Sequence, residues 1–490
     1  MRIRKISNGA ATNSLLLTFV QVITTILGIV VTKLMSVNFS LQEYGGYSQA
    51  LLITSSATSL SILGLSNGLN YFYNRTEDPQ EQKKYISTLF FIEYCFGGLA
   101  CVVILVLQGV FIQYFKNDSL NTLIPIVALT PLLTNLITMY QVLFVSIGKA
   151  KIIAVRNFFV SIIRLVAVIL ACYLLKNIAV VLLAVLLLDF MQVVYFFVLF
   201  SKYKYPIMIK NTDFSLTKEI LIFCIPMAIY IATNALSRDI DKYVISLFTD
   251  TETLAVYTNA SKLLPFDMLT ASLITILIPI MTRLINQKKF SEAKDVFSLY
   301  LKIGYILTFT FVGGAIAVSK ELMLFLYDEK FISGLGIFIV YLFVDMIRFA
   351  NVVSVLSGAG KTKVLMIISV STMIANLIFN VFGFILFGII GPAIVTFVLT
   401  IIMILLLLHF SAKELHTKIV CLFEFKKMFL LLLEIAIVGF GTYYLSNVFS
   451  ELNIGGFINL AVSYGIYLFL IGLLNYKEII RCFKKLNELK

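Results

Sequence analysis

The stretch Ile220–Phe248 reads "ILIFCIPMAIYIATNALSRDIDKYVISLF". From Ile220 to Ser237 no residue is charged, and then Arg238, Asp239, Asp241 and Lys242 fall within five positions. An uncharged run of this length fits a helix that crosses a bilayer, which takes roughly 18–25 residues. The whole chain has that character. Of its 490 residues 60% are hydrophobic and 13% charged, with a mean hydropathy of +0.97. A soluble domain is about half apolar and a quarter charged. The bilayer is therefore the solvent for most of this protein.

Backbone in lipid must satisfy its own hydrogen bonds, so only helices or closed barrels span it. Barrel strands are about 9–11 residues long and alternate in polarity. The runs here are longer and continuous, so the fold class is all-α. About fourteen segments of spanning length can be delimited, at roughly 12–36, 47–72, 86–114, 121–147, 152–175, 178–200, 217–248, 253–284, 296–319, 334–358, 364–387, 390–411, 428–447 and 456–475. The run from Ser14 to Met35 after "MRIRKIS" is too long for a signal-peptide core, and no small-residue cleavage site follows, so it reads as a retained first span. The six cysteines are scattered, with no metal or disulfide spacing. Neither a metal nor a cofactor is expected.

Lysine and arginine collect on the cytoplasmic side of membrane proteins. With the N-terminus placed there, the segment pattern assigns 28 of the 39 basic residues to that side and only Lys116, Lys176, Lys320 and Lys330 to the other. This supports cytoplasmic N- and C-termini. The net charge of +13 is mostly topological and argues against nucleic acid as a partner. Seven basic residues remain inside spans: Lys33, Arg164, Arg238, Lys242, Lys262, Lys302 and Arg348. Lys302 lies near a span end, where its stem can carry the ammonium group to the interface.

Two local patterns recur. "EYGGYSQA" (Glu43–Ala50) matches "TLAVYTNA" (Thr253–Ala260) 210 residues later, and "GKAK" (Gly148–Lys151) matches "GKTK" (Gly360–Lys363) 212 residues later. Each pair occupies the same topological place, so the chain reads as two parallel six-helix repeats. The expected boundaries are 1–205, 206–415 and a remainder, 416–490, with two further helices and a basic tail. "SGAGKTK" imitates a phosphate-binding loop, but Val355 stands where the motif needs glycine and no strand precedes it.

With "EYGGYS" after the first span, "DKYVI" (Asp241–Ile245), "VYTNASKL" (Val256–Leu263), "GAGKTKVLMIISV", "ANLIFN" and "FGIIGPAIVT" in this order, the chain resembles the Wzx-type polysaccharide flippases of the multidrug/oligosaccharidyl-lipid/polysaccharide exporter superfamily. The resemblance covers nearly the whole chain. It implies two six-helix bundles around a central cavity, related by a pseudo-two-fold along the membrane normal, plus two C-terminal helices. It implies a transporter in the bacterial cytoplasmic membrane rather than an enzyme. The implied cargo is an oligosaccharide joined through diphosphate to a polyprenyl lipid. Membrane lipids, a polysaccharide polymerase and glycosyltransferases are candidate partners. Asp241, Lys242 and Lys262 match recurrent positions of the family.

A charge in mid-bilayer costs about 2.5–3.5 kcal/mol on insertion scales, so each buried one needs a partner or water. Arg164 and Asp189 lie equally far from the turn near Lys176 and are expected to pair structurally. Asp345 and Arg348, at i and i+3, can pair along one helix; structural and functional roles are both open to them. Arg238 and Lys262 lie equally far from the turn near Asp250, with Asp239, Asp241 and Lys242 slightly further out. Arg238 and Lys242, at i and i+4, would share a face. Through the repeat Lys33 falls one position from Lys242. Arg238, Lys242, Lys262, Lys33 and Arg348 thus form a candidate site for an anionic head group, while the alternative is a network that staples two spans at the rim. Asn13, Gln21, Asn67, Asn70, Asn234 and Asn259 could bind sugar hydroxyls or glue helices. Asp239, Asp241, Asp267 and Asp345 are candidate ion-coupling or structural carboxylates.

Four other functions fit less well or as variants. A cation-coupled multidrug exporter would have about twelve spans and an acidic cavity. A peptidoglycan-precursor flippase shares the fourteen-span plan. A membrane transferase would need a catalytic group on a sizeable outer loop, whereas His409 and His416 sit at the cytoplasmic end of a span. A non-transporting scaffold is the plainest alternative.

Overall fold

The computed structural model describes residues 2–76, 78–202, 211–267, 277, 280–452 and 454–488, and among these every regular element is a helix. Among the described residues twelve stretches are long and apolar enough to cross a membrane, and the longest, Thr362–Glu414, holds two helices. The expected span 253–284 lies partly outside the described residues. Large apolar side chains such as Phe19, Leu174, Leu386 and Phe440 stand on the surface, as a lipid solvent requires.

Contact density divides the chain into two compact units: Met1–Asp239 with Ser246–Ala255, and Ile240–Ile245 with Val256–Lys490. The boundary expected from the repeat, 205/206, falls outside the described residues.

The first unit contains α1 (Arg2–Asn38), α2 (Leu41–Ser61), α3 (Leu65–Arg75), α4 (Pro79–Val106), α5 (Gln108–Phe115), α6 (Leu120–Val127), α7 (Thr130–Ser146), α8 (Ala150–Leu170), α9 (Ile178–Lys202) and α10 (Thr217–Ser237). α2 opens with a capping box: the Ser40 hydroxyl accepts the Glu43 N–H at 3.2 Å, and the Glu43 carboxylate accepts the Ser40 N–H at 2.9 Å. α2 and α3 form one span with a break at Ile62–Gly64, where Leu63 and Gly64 turn left-handed at φ 44° and 66°. The core lies where α3, α4, α7 and α9 meet, with Phe90, Tyr140, Phe144, Phe196 and Phe200 ring against ring. Lipid tails are as apolar as these side chains, so the gain is close packing rather than escape from water.

α10 belongs to this unit because its surface fits α3. A methyl group on Gly64 would stand 2.9 Å from the Cys224 carbonyl oxygen, so only glycine lets the break approach α10. Tyr71 stacks on Phe223 at 4.2 Å, and Arg75 pairs with Glu219.

After α11 (Ile240–Phe248) and α12 (Thr251–Ala260), which the division crosses, the second unit holds α13 (Phe290–Ala317), α14 (Ser319–Leu326), α15 (Leu335–Ile347), α16 (Ser354–Gly358), α17 (Thr362–Phe387), α18 (Gly391–Glu414), α19 (Phe425–Glu451) and α20 (Gly456–Glu488). The last two pack on α13, where Gly313 and Gly314 leave room for Ile435 and Tyr467. Lys302, in α13, is tied to their ends by Glu424 at 2.7 Å and by Glu478, with Lys427 2.6 Å from Glu424 and 2.9 Å from Glu478.

Candidate functional site

The stretch that opened the sequence is two helices. α10 stops at Ser237, Arg238 and Asp239 make a turn, and α11 begins at Ile240. The turn is held by the Arg238 N–H on the Ala235 carbonyl at 3.2 Å and the Asp239 N–H on the Leu236 carbonyl at 2.9 Å. This corrects the expected shared face of Arg238 and Lys242, because i,i+4 geometry needs an unbroken helix. Arg238 is exposed, and Asp239 is half-buried and accepts the Ser55 hydroxyl at 3.2 Å.

A second interruption follows in the other unit. α12 ends at Ala260, Ser261–Leu264 leave helical geometry, and a short turn follows at Pro265–Asp267. The expected helix 253–284 is therefore not continuous. A broken helix in a membrane frees backbone groups that need new partners. Asp345 supplies one: its Oδ2 accepts the Leu264 N–H at 2.9 Å, while its Oδ1 lies 3.3 Å from Arg348 Nη1. Asp345 is 1% exposed. Asp241, equally buried, accepts the Tyr257 hydroxyl at 2.9 Å, the Lys242 N–H at 2.8 Å and the Tyr341 hydroxyl. The two carboxylates thus brace α11, α12 and α15 around the break. Lys262 stands exposed on the interrupted segment itself, and half-buried Lys242 lies close enough for the two ammonium groups to act on each other.

In the first unit Lys33 is half-buried on α1. Arg164 Nη2 lies 3.1 Å from Asp189 Oδ1, which also accepts from Gln192 at 2.8 Å. Arg156 is buried in α8; it bonds Gln192 and stands 4.6 Å over the Phe196 ring. Gln21, Asn67 and Asn70 are exposed, Asn234 bonds the Tyr230 carbonyl of its own helix at 2.8 Å, and Asn259 is buried. The side chains of Asn13 and Asp267 lie outside the described residues.

Sequence reasoning missed Tyr257 and Tyr341, whose role depends on a tertiary contact, and Glu93, which is 0% exposed in α4. Glu93 is the one acid in the apolar run "TLFFIEYCFGG" (Thr88–Gly98), and that isolation is the local signal it carries.

Outside the spans the electrostatics are local. Hydrogen bonds from Thr253 hold the Asp250 carboxyl below its ordinary value, and those from Ser215 do the same for Asp213. Burial alone would raise Glu424, yet Lys302 and Lys427 hold it below the ordinary glutamate value.

No curated protein matches the chain by sequence. A family model described as polysaccharide biosynthesis protein matches residues 30–334, more than half of the chain. Among solved structures, the lipid II flippase MurJ in an inward closed conformation is 16% identical with a TM-score of 0.73, over 95% of this chain and all of that one. An inward-facing multidrug resistance MATE transporter of the MOP superfamily is 12% identical with a TM-score of 0.67, over 81% of this chain and 96% of that one. A MOP superfamily transporter from Pyrococcus furiosus, titled for the reverse polarity of its binding pocket, is 13% identical with a TM-score of 0.59, over 83% of this chain and 95% of that one. The chain belongs to the polysaccharide biosynthesis family and has the fold of the MOP-superfamily transporters.

Proposed function

We propose that the protein is a flippase. It carries polyprenyl-diphosphate-linked oligosaccharide repeat units from the inner to the outer leaflet of a bacterial cytoplasmic membrane, with both termini cytoplasmic. The observation that carries this reading is the pair Lys242 and Lys262, two like charges beside a helix break that Asp241 and Asp345 brace. Like charges gathered in a membrane protein favour an anionic ligand, and a diphosphate accepts charge-assisted hydrogen bonds from lysine and arginine. Arg238, Lys33 and Arg348 are the further basic residues proposed for the head group, and Asn67 and Asn70 for the sugars. The lipid tail stays in the bilayer while the protein alternates between inward and outward access. The chain is read as two six-helix repeats, 1–205 and 206–415, with two added helices.

Membership of the polysaccharide biosynthesis family favours an oligosaccharide repeat unit as cargo, and likeness to a lipid II flippase favours a lipid-linked one. A basic pair at the break disfavours cationic drugs. The test is transport of a polyprenyl-diphosphate-linked sugar in proteoliposomes. Each charge-assisted hydrogen bond contributes about 1.5–3 kcal/mol, so K242A/K262A should slow transport by roughly a hundredfold or more while the protein stays folded. Undiminished transport by the folded double variant would sink the head-group site.

A further inference from the structure

Glu93 lies midway along α4, fully buried, and among the described residues no hydrogen-bond donor is in place on either carboxylate oxygen. Its carboxyl folds back beside Gly97, where a methyl group would stand 2.8 Å from Glu93 Oε1 and 2.8 Å from Leu132 of α7. The polar side chain in reach is Asn135, also of α7 and also fully buried. Both amide hydrogens of Asn135 are engaged: Nδ2 donates to the Thr58 carbonyl at 3.3 Å and to the Ser61 hydroxyl at 2.9 Å. Its Oδ1 has no partner. Rotating the amide by half a turn would set Oδ1 against the Thr58 carbonyl and give up that bond, so the orientation with both amide hydrogens engaged leaves Oδ1 as the group to be met. With Nδ2 spent on Thr58 and Ser61, Asn135 has its Oδ1 left for Glu93, and two acceptors side by side need a proton between them.

The titratable groups around Glu93 supply no counter-charge. Cys101 is on its own helix, Tyr94 and Tyr140 meet one another nearby, and no charged side chain of the helices packed on α4 acts on it. An ionised carboxylate there would have neither donor nor cation.

We propose that Glu93 is a membrane-buried proton site: its carboxyl is protonated and donates its O–H to Asn135 Oδ1. Asn135 in turn holds the end of α2, one residue before the break at Ile62–Gly64. Proton binding is thereby linked to how firmly α4, α7 and the broken span are joined. On release the O–H bond breaks, the proton passes to water, and the carboxylate left behind must be hydrated, which requires α4 and α7 to part. If the protein is the flippase proposed above, this is where a proton gradient acts on transport.

Infrared difference spectra of the purified full chain in lipid nanodiscs at neutral pH test the site without any substrate. The wild type minus E93Q should show the C=O band of a protonated carboxyl, and N135L should move that band to higher wavenumber as its hydrogen bond is lost. A carboxylate signature in place of that band, or a band unmoved in N135L, overturns the proposal. In proteoliposomes loaded with a polyprenyl-diphosphate-linked N-acetylglucosamine probe, a pH gradient should speed the wild type several-fold and leave E93Q unchanged. A gradient response kept by E93Q overturns the coupling. A wild type that moves no probe speaks against the flippase reading, and the infrared result still decides Glu93.

Discussion

The second span of each repeat expected from the sequence breaks, but differently. α2 starts at Leu41 and α12 at Thr251, 210 residues apart, the offset of the "EYGGYSQA" and "TLAVYTNA" match. α2 runs on to Ser61, whereas α12 stops at Ala260, the place of Ala50 in the first repeat. In both, a buried side chain of the fourth span attends the break, and the two are again 210 apart: Asn135 and Asp345. Their chemistry is opposite because their partners are. At the end of α2 the groups in reach are acceptors, the Ser61 hydroxyl oxygen and the Thr58 carbonyl that also takes the Ile62 N–H, so Asn135 offers N–H donors. After α12 it is the Leu264 N–H, so Asp345 offers an acceptor. Each of the two stations thus holds the side chain that its neighbouring groups require.

Substitutions at these stations should break the comparison unequally. D345A strands a buried N–H and leaves Arg348 beside an empty acceptor site. Removing one member of a buried pair costs about 3–5 kcal/mol, so thermal unfolding in nanodiscs should shift strongly downward. D345N keeps an acceptor for Leu264 and should recover part of that loss. N135L removes two neutral donors and should cost about 1–3 kcal/mol. A loss as large as that of D345A would mean that the stations are not distinguished by charge. G64A forces a side chain into left-handed backbone, at about 1–2 kcal/mol, and presses on α10, so it should loosen α10 in hydrogen exchange.

The smallest effect lies away from the breaks, in the Lys302–Glu424–Lys427–Glu478 network. Glu424 is held below its ordinary value, so what it contributes is full above the ordinary glutamate range and is lost as pH falls through its lowered value. Acid should therefore reduce the stability of the wild type slightly more than that of E424Q. The difference stays within about 1 kcal/mol because Glu424 is half exposed.

Much of this was legible. The spans, the repeat offset and the i,i+3 spacing of Asp345 and Arg348 can be read directly, since hydropathy and helical periodicity are local. The breaks were not. Gly64 and Pro265 mark them, but Pro226 sits inside an unbroken α10, so such residues do not by themselves place a break in a membrane helix. For the same reason the charges of "SRDIDKY" (Ser237–Tyr243) looked like one helical face, when a turn at Arg238–Asp239 divides them. The seat of Arg156 was equally hidden, because no local pattern announces a cation over a phenylalanine ring one helix away.

The sequence alone determined an all-helical membrane protein of about fourteen spans, because lipid leaves the backbone no other choice over runs of that length. The family follows from order and spacing along the chain. Only the tertiary structure decided which charges are bound to protein. Asp241 and Asp345 became braces when Tyr257, Tyr341 and Leu264 came within reach, and Glu93 is buried where α4 packs on α7 with no donor in place among the described residues. An ionisable group in a membrane takes its role from its neighbours, and those neighbours lie on other helices.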